Sequence, residues 1–154
     1  MQQFEAHISW QRDGQVFSDN RYSRAHQWRF DGGLQVPCSS SPLSVPLPMS
    51  DASAIDPEEA LVASLSSCHM LFFLSIAATH GFVVDSYRDD PVGIMNRNAD
   101  GKKAMTLITL RPAIAFDGER QPTRAELEAI HHEAHEQCYI ANSIKADVVI
   151  EGVL

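Results

Sequence analysis

The residue pattern predicts a chain of mixed helices and strands, with two helices set among short strands. Three observations predict it. Alternating apolar and polar residues open the chain, a long apolar run with helix start and stop signals fills its middle, and an amphipathic segment with its own capping box lies near its end. At 154 residues the length fits one domain, 1–154, large enough to bury a core without staples. The net charge of −8, a pI near 5.2 and scattered cations argue against a nucleic-acid partner, which needs clustered Lys and Arg.

The first strand is read from Phe4 to Trp10, where FEAHISW alternates as a half-buried strand does. Arg12-Asp13-Gly14 supplies a turn, and a second strand is expected through Val16 and Phe17. Tyr22, Trp28 and Phe30 mark a third within RYSRAHQWRFDGG, and Asp31-Gly32-Gly33 turns the chain into LQVPC. From Pro37 to Pro48, prolines and serines dictate an extended, non-helical loop.

The central helix has clear ends. Asp56 is its N-cap, Pro57 suits the first helical position, Glu59 completes an Asp-x-x-Glu capping box, and Gly81 is a left-handed stop. The run from Ala60 to Ala78 is about long enough to span a bilayer. Its four serines, cysteine and histidine, and its lack of a cationic flank, favour a buried core helix instead. Being apolar nearly all round, this helix must be covered on most sides, which a chain of this size does poorly alone and which points to a partner chain.

After Gly81, FVVDSYRDD reads as a strand and MTLITLRPAIAF as another, with an irregularity at Arg111-Pro112 and a polar turn from Asn96 to Lys103 between them. The second helix starts at Thr123, carries Glu126 three residues later, and runs to about Tyr139. ANSIKADVVIEGVL closes the chain as an edge or return strand. MQQFEAHISWQRDG has neither the charged nor the apolar region of a signal peptide, so a cytoplasmic protein is expected, and three cysteines there make no disulfide framework.

Cys68 and Cys138, seventy residues apart, hold most of the functional information. A free cysteine is most often a small buried hydrophobe. Ser64, Ser66, Ser67 and His69 are an odd lining for such a residue. His69 diverges from Cys68 on a helix, which makes it a supporting or surface group. His131, His135 and Cys138 share one helix face by spacing, an arrangement able to bind a metal. Against that, a structural zinc site needs four ligands and no further pair follows. The simpler reading leaves His131, His132 and His135 in solvent and buries Leu127, Ile130, Ala134 and Cys138. Cys38, in the Pro/Ser loop, reads as a non-essential thiol.

The segments DPEEALVASLSSCHMLFFLSIAATHGF and HHEAHEQCYIANSIKADV, in this order and at this separation, with VVDSYRDD and TLITLRP between them, resemble the OsmC/Ohr family of thiol-dependent peroxidases. The resemblance implies an α+β fold of antiparallel sheets around a long buried central helix, assembled as an intertwined homodimer. It implies a peroxidatic Cys68 that attacks an organic hydroperoxide and becomes a sulfenic acid, and a resolving Cys138 that closes a disulfide. It also implies an arginine, matched by Arg24 with Arg21 as the alternate, and a glutamate, matched by Glu58, that keep the first sulfur ionised. A thiol with an ordinary pKa of about 8.5 is mostly protonated at neutral pH, and a guanidinium beside it favours the thiolate. Leu65, Leu71, Phe72 and Phe73 would form apolar walls suited to alkyl hydroperoxides. Electrons would come from a dithiol or a lipoyl-type protein, with no metal or prosthetic group. Two features depart from the strict Ohr pattern: Tyr139 follows Cys138 in place of proline, and His69-Met70 follows Cys68, as in an OsmC-like branch. Two other classes of function stay open: a dimeric binding protein for a hydrophobic ligand, and a metal-binding protein using His131, His135 and Cys138.

Ten residues of unbroken helix rise roughly 15 Å, so Glu58 is expected to serve the Cys68 of a partner chain and not its own.

Overall fold

The computed structural model describes residues 1–152. The chain divides into two compact units, residues 1–60 and residues from 61 onward.

The first unit is built on an antiparallel meander of β1 (Ala6–Ser9), β2 (His26–Phe30) and β3 (Gln35–Cys38). Trp28 lies opposite Ile8 on one side and Val36 on the other. The Asp31-Gly32-Gly33 turn forms as the residues dictate, with Gly33 at a φ of 87° that a side chain would resist. The strand expected at Val16 and Phe17 is absent. Asp13 and Asn20 both adopt positive φ, which breaks any extended run, and the loop folds on itself. Phe17 stacks on Tyr22 at 4.6 Å, and Trp10 meets Tyr22 edge-on at 5.4 Å. Trp10, Phe17 and Tyr22 make a small aromatic cluster here instead of a sheet. After β3 the Pro/Ser loop is tied back by Ser39 N to Ile55 O at 3.0 Å and Ile55 N to Pro37 O at 3.1 Å. Cys38, at the end of β3, is buried, and burial pushes its thiol up.

Helix α1 runs Pro57–Thr79 without interruption. Its capping box forms as expected: Glu59 N donates to Asp56 Oδ1 at 2.8 Å, and Asp56 N donates to Glu59 Oε2 at 3.3 Å. The stop also forms, with Gly81 at φ 77° and Phe82 N bonded to Ala77 O at 3.0 Å.

In the second unit α1 is joined by β4 (Val83–Asp89), β5 (Val92–Arg97), β6 (Lys103–Leu110), β7 (Pro112–Asp117), α2 (Arg124–Gln137), a 3-10 turn (Ala141–Ser143) and β8 (Asp147–Ile150). Strands β4 and β7 pair as one antiparallel ribbon; β5, β6 and β8 form a three-stranded sheet with β6 and β8 parallel. The stretch MTLITLRPAIAF is therefore two strands in two sheets. Pro112 ends one ladder, and Arg111 turns the corner by donating its N–H to Asp89 Oδ1 at 2.6 Å. Strand β5 is an addition to the expected elements. Its signal is the apolar VGIM run after Asp90-Pro91. The closing strand ends at Ile150, and Val153 and Leu154 lie outside the described residues.

Two apolar clusters hold this unit. Phe73, Ile76, Ala77 and Phe82 pack with Leu127, Ile130 and Ala134 of α2. Leu65 packs with Ile108, Leu110 and Cys138. Helix α1 thus buries one face, Leu65, Ser66, His69, Phe73, Ile76 and Ala77. The stripe Ser64, Ser67, Leu71, Ser75 and Ala78 is open to solvent, so the single chain covers less of the helix than its composition demands.

Candidate functional site

Cys68 lies midway along α1 and is half-buried. Cys138 is the C-cap of α2, fully buried, with Ala141 N donating to its Sγ at 3.4 Å. The two sulfurs come together in the second cluster, where Cys68 and Phe72 pack around Leu65 and Cys138. Burial pushes the Cys138 thiol up, and the neighbouring Cys68 adds to this while the Ala141 N–H opposes it. All three cysteines are free thiols. The arrangement is asymmetric: Cys68 is half-buried, and Cys138 is a protonated thiol held against it in apolar surroundings. Leu65 and Phe72 line the pair. Phe73 belongs to the other cluster, and Leu71 points into solvent at 61 % exposure, so only two of the four expected apolar walls stand at the thiols. Tyr139, next to Cys138, meets Phe72 edge-on at 5.0 Å and completes this rim.

The charged residues implied for the site lie in the first unit. Arg24 is half-buried and held by its own loop, donating to Asn20 O at 3.0 Å, Asn20 Oδ1 at 2.8 Å and Tyr22 O, with its guanidinium 3.8 Å above the Tyr22 ring. Arg21 is exposed, and its backbone N–H binds Asp19. Glu58 sits in the first turn of α1. Among the described residues neither Arg24 nor Glu58 takes part in an ion pair. The unbroken α1 separates Glu58 from the Cys68 of its own chain by ten residues of rise, roughly 15 Å.

A second polar group joins α1 to α2. His69 is 1 % exposed, a supporting group and not a surface one, and His131 is 3 % exposed, not in solvent as the simpler reading has it. His69 Nε2 and His131 Nδ1 share a hydrogen bond of 3.0 Å, and the rings stack within 5° of parallel. Burial, then the neighbouring His131 and His135, pull the His69 imidazole down to about 4 against the opposing charge of Asp89. Burial alone does the same for His131, also to about 4. Both are neutral at physiological pH. Asp89 accepts from Ser66 Oγ at 2.5 Å, which brings its carboxylate to the same face of α1. Burial, then the Asp89 charge, push the Tyr87 phenol up. With His131 turned inward, the alternative metal face of His131, His135 and Cys138 does not assemble; among the described residues no three ligating side chains converge. The spacing did hold the signal: Leu127, His131, Ala134 and Cys138 follow the four-three-four rhythm of one buried stripe.

These features meet in one class. Residues 50–152 match the family described as OsmC-like protein, and the chain belongs to that family. An OsmC-like protein of unknown function from Vibrio cholerae is 51% identical over 98% of this chain and 99% of its own, with a TM-score of 0.96. The fold recurs at far lower identity. An organic hydroperoxide resistance protein from Elizabethkingia anophelis has 13% identity and a TM-score of 0.70, covering 99% of this chain and 97% of its own. That of Bacillus subtilis has 18% identity and a TM-score of 0.63, covering 96% and 97%. No curated protein sequence matches the chain.

Proposed function

We propose that the protein is a thiol-dependent peroxidase that reduces organic hydroperoxides to alcohols through Cys68 and Cys138. The observation that supports it most is the contact between a half-buried and a fully buried thiol, brought from α1 and from the end of α2. Ionised Cys68 attacks the terminal peroxide oxygen; the O–O bond breaks, the alkoxide takes a proton and leaves as alcohol, and sulfur is oxidised to the sulfenic acid. Cys138 then attacks that sulfur. The S–O bond breaks, the thiol proton leaves with the hydroxyl as water, and a disulfide remains. A dithiol or a lipoyl-type protein re-reduces it by exchange. The family resemblance carries Arg24 and Glu58 to the task of keeping the attacking sulfur ionised. The apolar rim of Phe72 and Tyr139, backed by the buried Leu65, suits an alkyl chain better than hydrogen peroxide.

The working species we propose is a cytoplasmic homodimer. The open stripe of α1 is mostly serine and alanine around Leu71, small residues that let a second helix approach closely. Hydroperoxide consumption with dihydrolipoamide as reductant tests the activity. Turnover of cumene hydroperoxide well above that of hydrogen peroxide, abolished in Cys68→Ser, is expected; turnover that survives Cys68→Ser would overturn the assignment.

A further inference from the structure

We infer that the buried His69–His131 hydrogen bond is a positioning device that holds Cys138 against Cys68, so that disulfide closure, rather than attack on the peroxide, depends on it. The inference rests on the thiol-peroxidase reading. The placement is direct: His69 follows Cys68 on α1, and His131 precedes Cys138 by seven residues, two turns along the same face of α2. The 3.0 Å bond between the rings therefore sets where the end of α2 stands along α1. Phe73 holds the His131 ring from one side at 4.5 Å.

Two leucines would fill this space without the cost of desolvating two imidazoles. An apolar pair, however, tolerates sliding, whereas two buried ring nitrogens with one partner each accept a single register. His69 Nδ1 has no partner and is buried, so the His131 bond is the imidazole's one tie. The pair is also sensitive to acid. The titratable groups near it are His135 from α2 and Asp89 and Tyr87 from β4, while β7 adds only the apolar Ile114 and Phe116. One added proton can be shared between the rings; a second sets two imidazoliums side by side in the core and drives α2 away from α1.

The test compares disulfide closure in the reduced full-length wild type, His131→Asn, His131→Leu and His69→Gln, by quenched intact-mass spectrometry. Each protein is oxidised with cumene hydroperoxide and, separately, with diamide, which closes a dithiol without a sulfenic acid. His131→Asn and His69→Gln keep an uncharged hydrogen-bonding atom in the pair. At pH 7 His131→Leu is expected to form sulfenic acid at the wild-type rate and to close about tenfold to a hundredfold more slowly, with His131→Asn near wild type. The ratio of wild-type to His131→Asn closure, in which the ionisation of the attacking thiol cancels, is expected to be flat from about pH 8 to 6 and to fall as the pH drops to about 4 and below, where the second proton enters the pair. Closure by folded His131→Leu at the wild-type rate, or a ratio flat down to about pH 3 in folded protein, overturns the inference. Should His131→Leu not fold, the ratio decides, with His69→Gln as its second reference. A wild type inert to peroxide but still dependent on His131 under diamide would remove the peroxidase reading and keep the positioning role. Diamide closure indifferent to His131→Leu would remove the positioning role alone.

Discussion

Phe73 shows how much a single side chain can carry. It is fully buried and touches the rings of Tyr87 at 5.5 Å and His131 at 4.5 Å. Phe73→Ala should cost about 3–5 kcal/mol in urea unfolding, because α1, β4 and α2 all lose a surface at once. The histidines it touches make stability depend on acid. Their folded values, near 4, lie below the ordinary 6.5. The unfolded chain therefore binds more protons between those limits, and the stability they contribute is complete above pH 6.5 and lost as pH falls toward 4. The loss should be on the order of 3 kcal/mol for each histidine, at about 1.4 kcal/mol for each tenfold change in proton affinity, and smaller in His131→Asn; equilibrium unfolding at several pH values reads it. Gly93 is another residue whose replacement is costly. A β-carbon there would stand 2.6 Å from both Met105 Sδ and Val62 Cγ2. Met105 can yield and Val62 cannot, so Gly93→Ala should destabilise by about 1–3 kcal/mol, readable as a lowered Tm.

At the scale of elements, the ends of both helices were written into the sequence. Asp56 with Glu59 and Thr123 with Glu126 each form reciprocal hydrogen bonds. Thr123→Ala should cost about 1 kcal/mol, within the usual 0.5–2 for a lost cap, and Glu128→Ala, which loses only the exposed pair with Arg124, should cost less. Denaturant midpoints of the two variants compare them. The strands were less legible. Val16 and Phe17 are residues a strand favours, yet Asp13 and Asn20 curl the backbone around an aromatic cluster that no local pattern announces. The break at Arg111-Pro112 was visible, but its meaning, a crossing from one sheet to another fixed by Asp89, depends on a residue 22 positions away. The thiol pair was legible through the family resemblance, since two cysteines seventy apart meet only in the folded chain. The His69–His131 pair was not: adjacent residues on a helix face apart, and their partnership spans 62 residues.

For the whole molecule, the open stripe of α1 and the chemistry of its thiols lead to separate tests. Light scattering should report a dimer, and Leu71→Asp, at a residue 61 % exposed in the single chain, should shift it toward monomer without unfolding the second unit. The central claim is that Cys68 attacks a peroxide and Cys138 resolves the product. Its most direct measurement is the intact mass of reduced wild type, Cys138→Ser and Cys68→Ser after one equivalent of cumene hydroperoxide. The account predicts a disulfide in wild type, a single retained oxygen that dimedone traps in Cys138→Ser, and no change in Cys68→Ser. A wild type that stays fully reduced, or a Cys68→Ser protein that still takes up oxygen at Cys138, would contradict it.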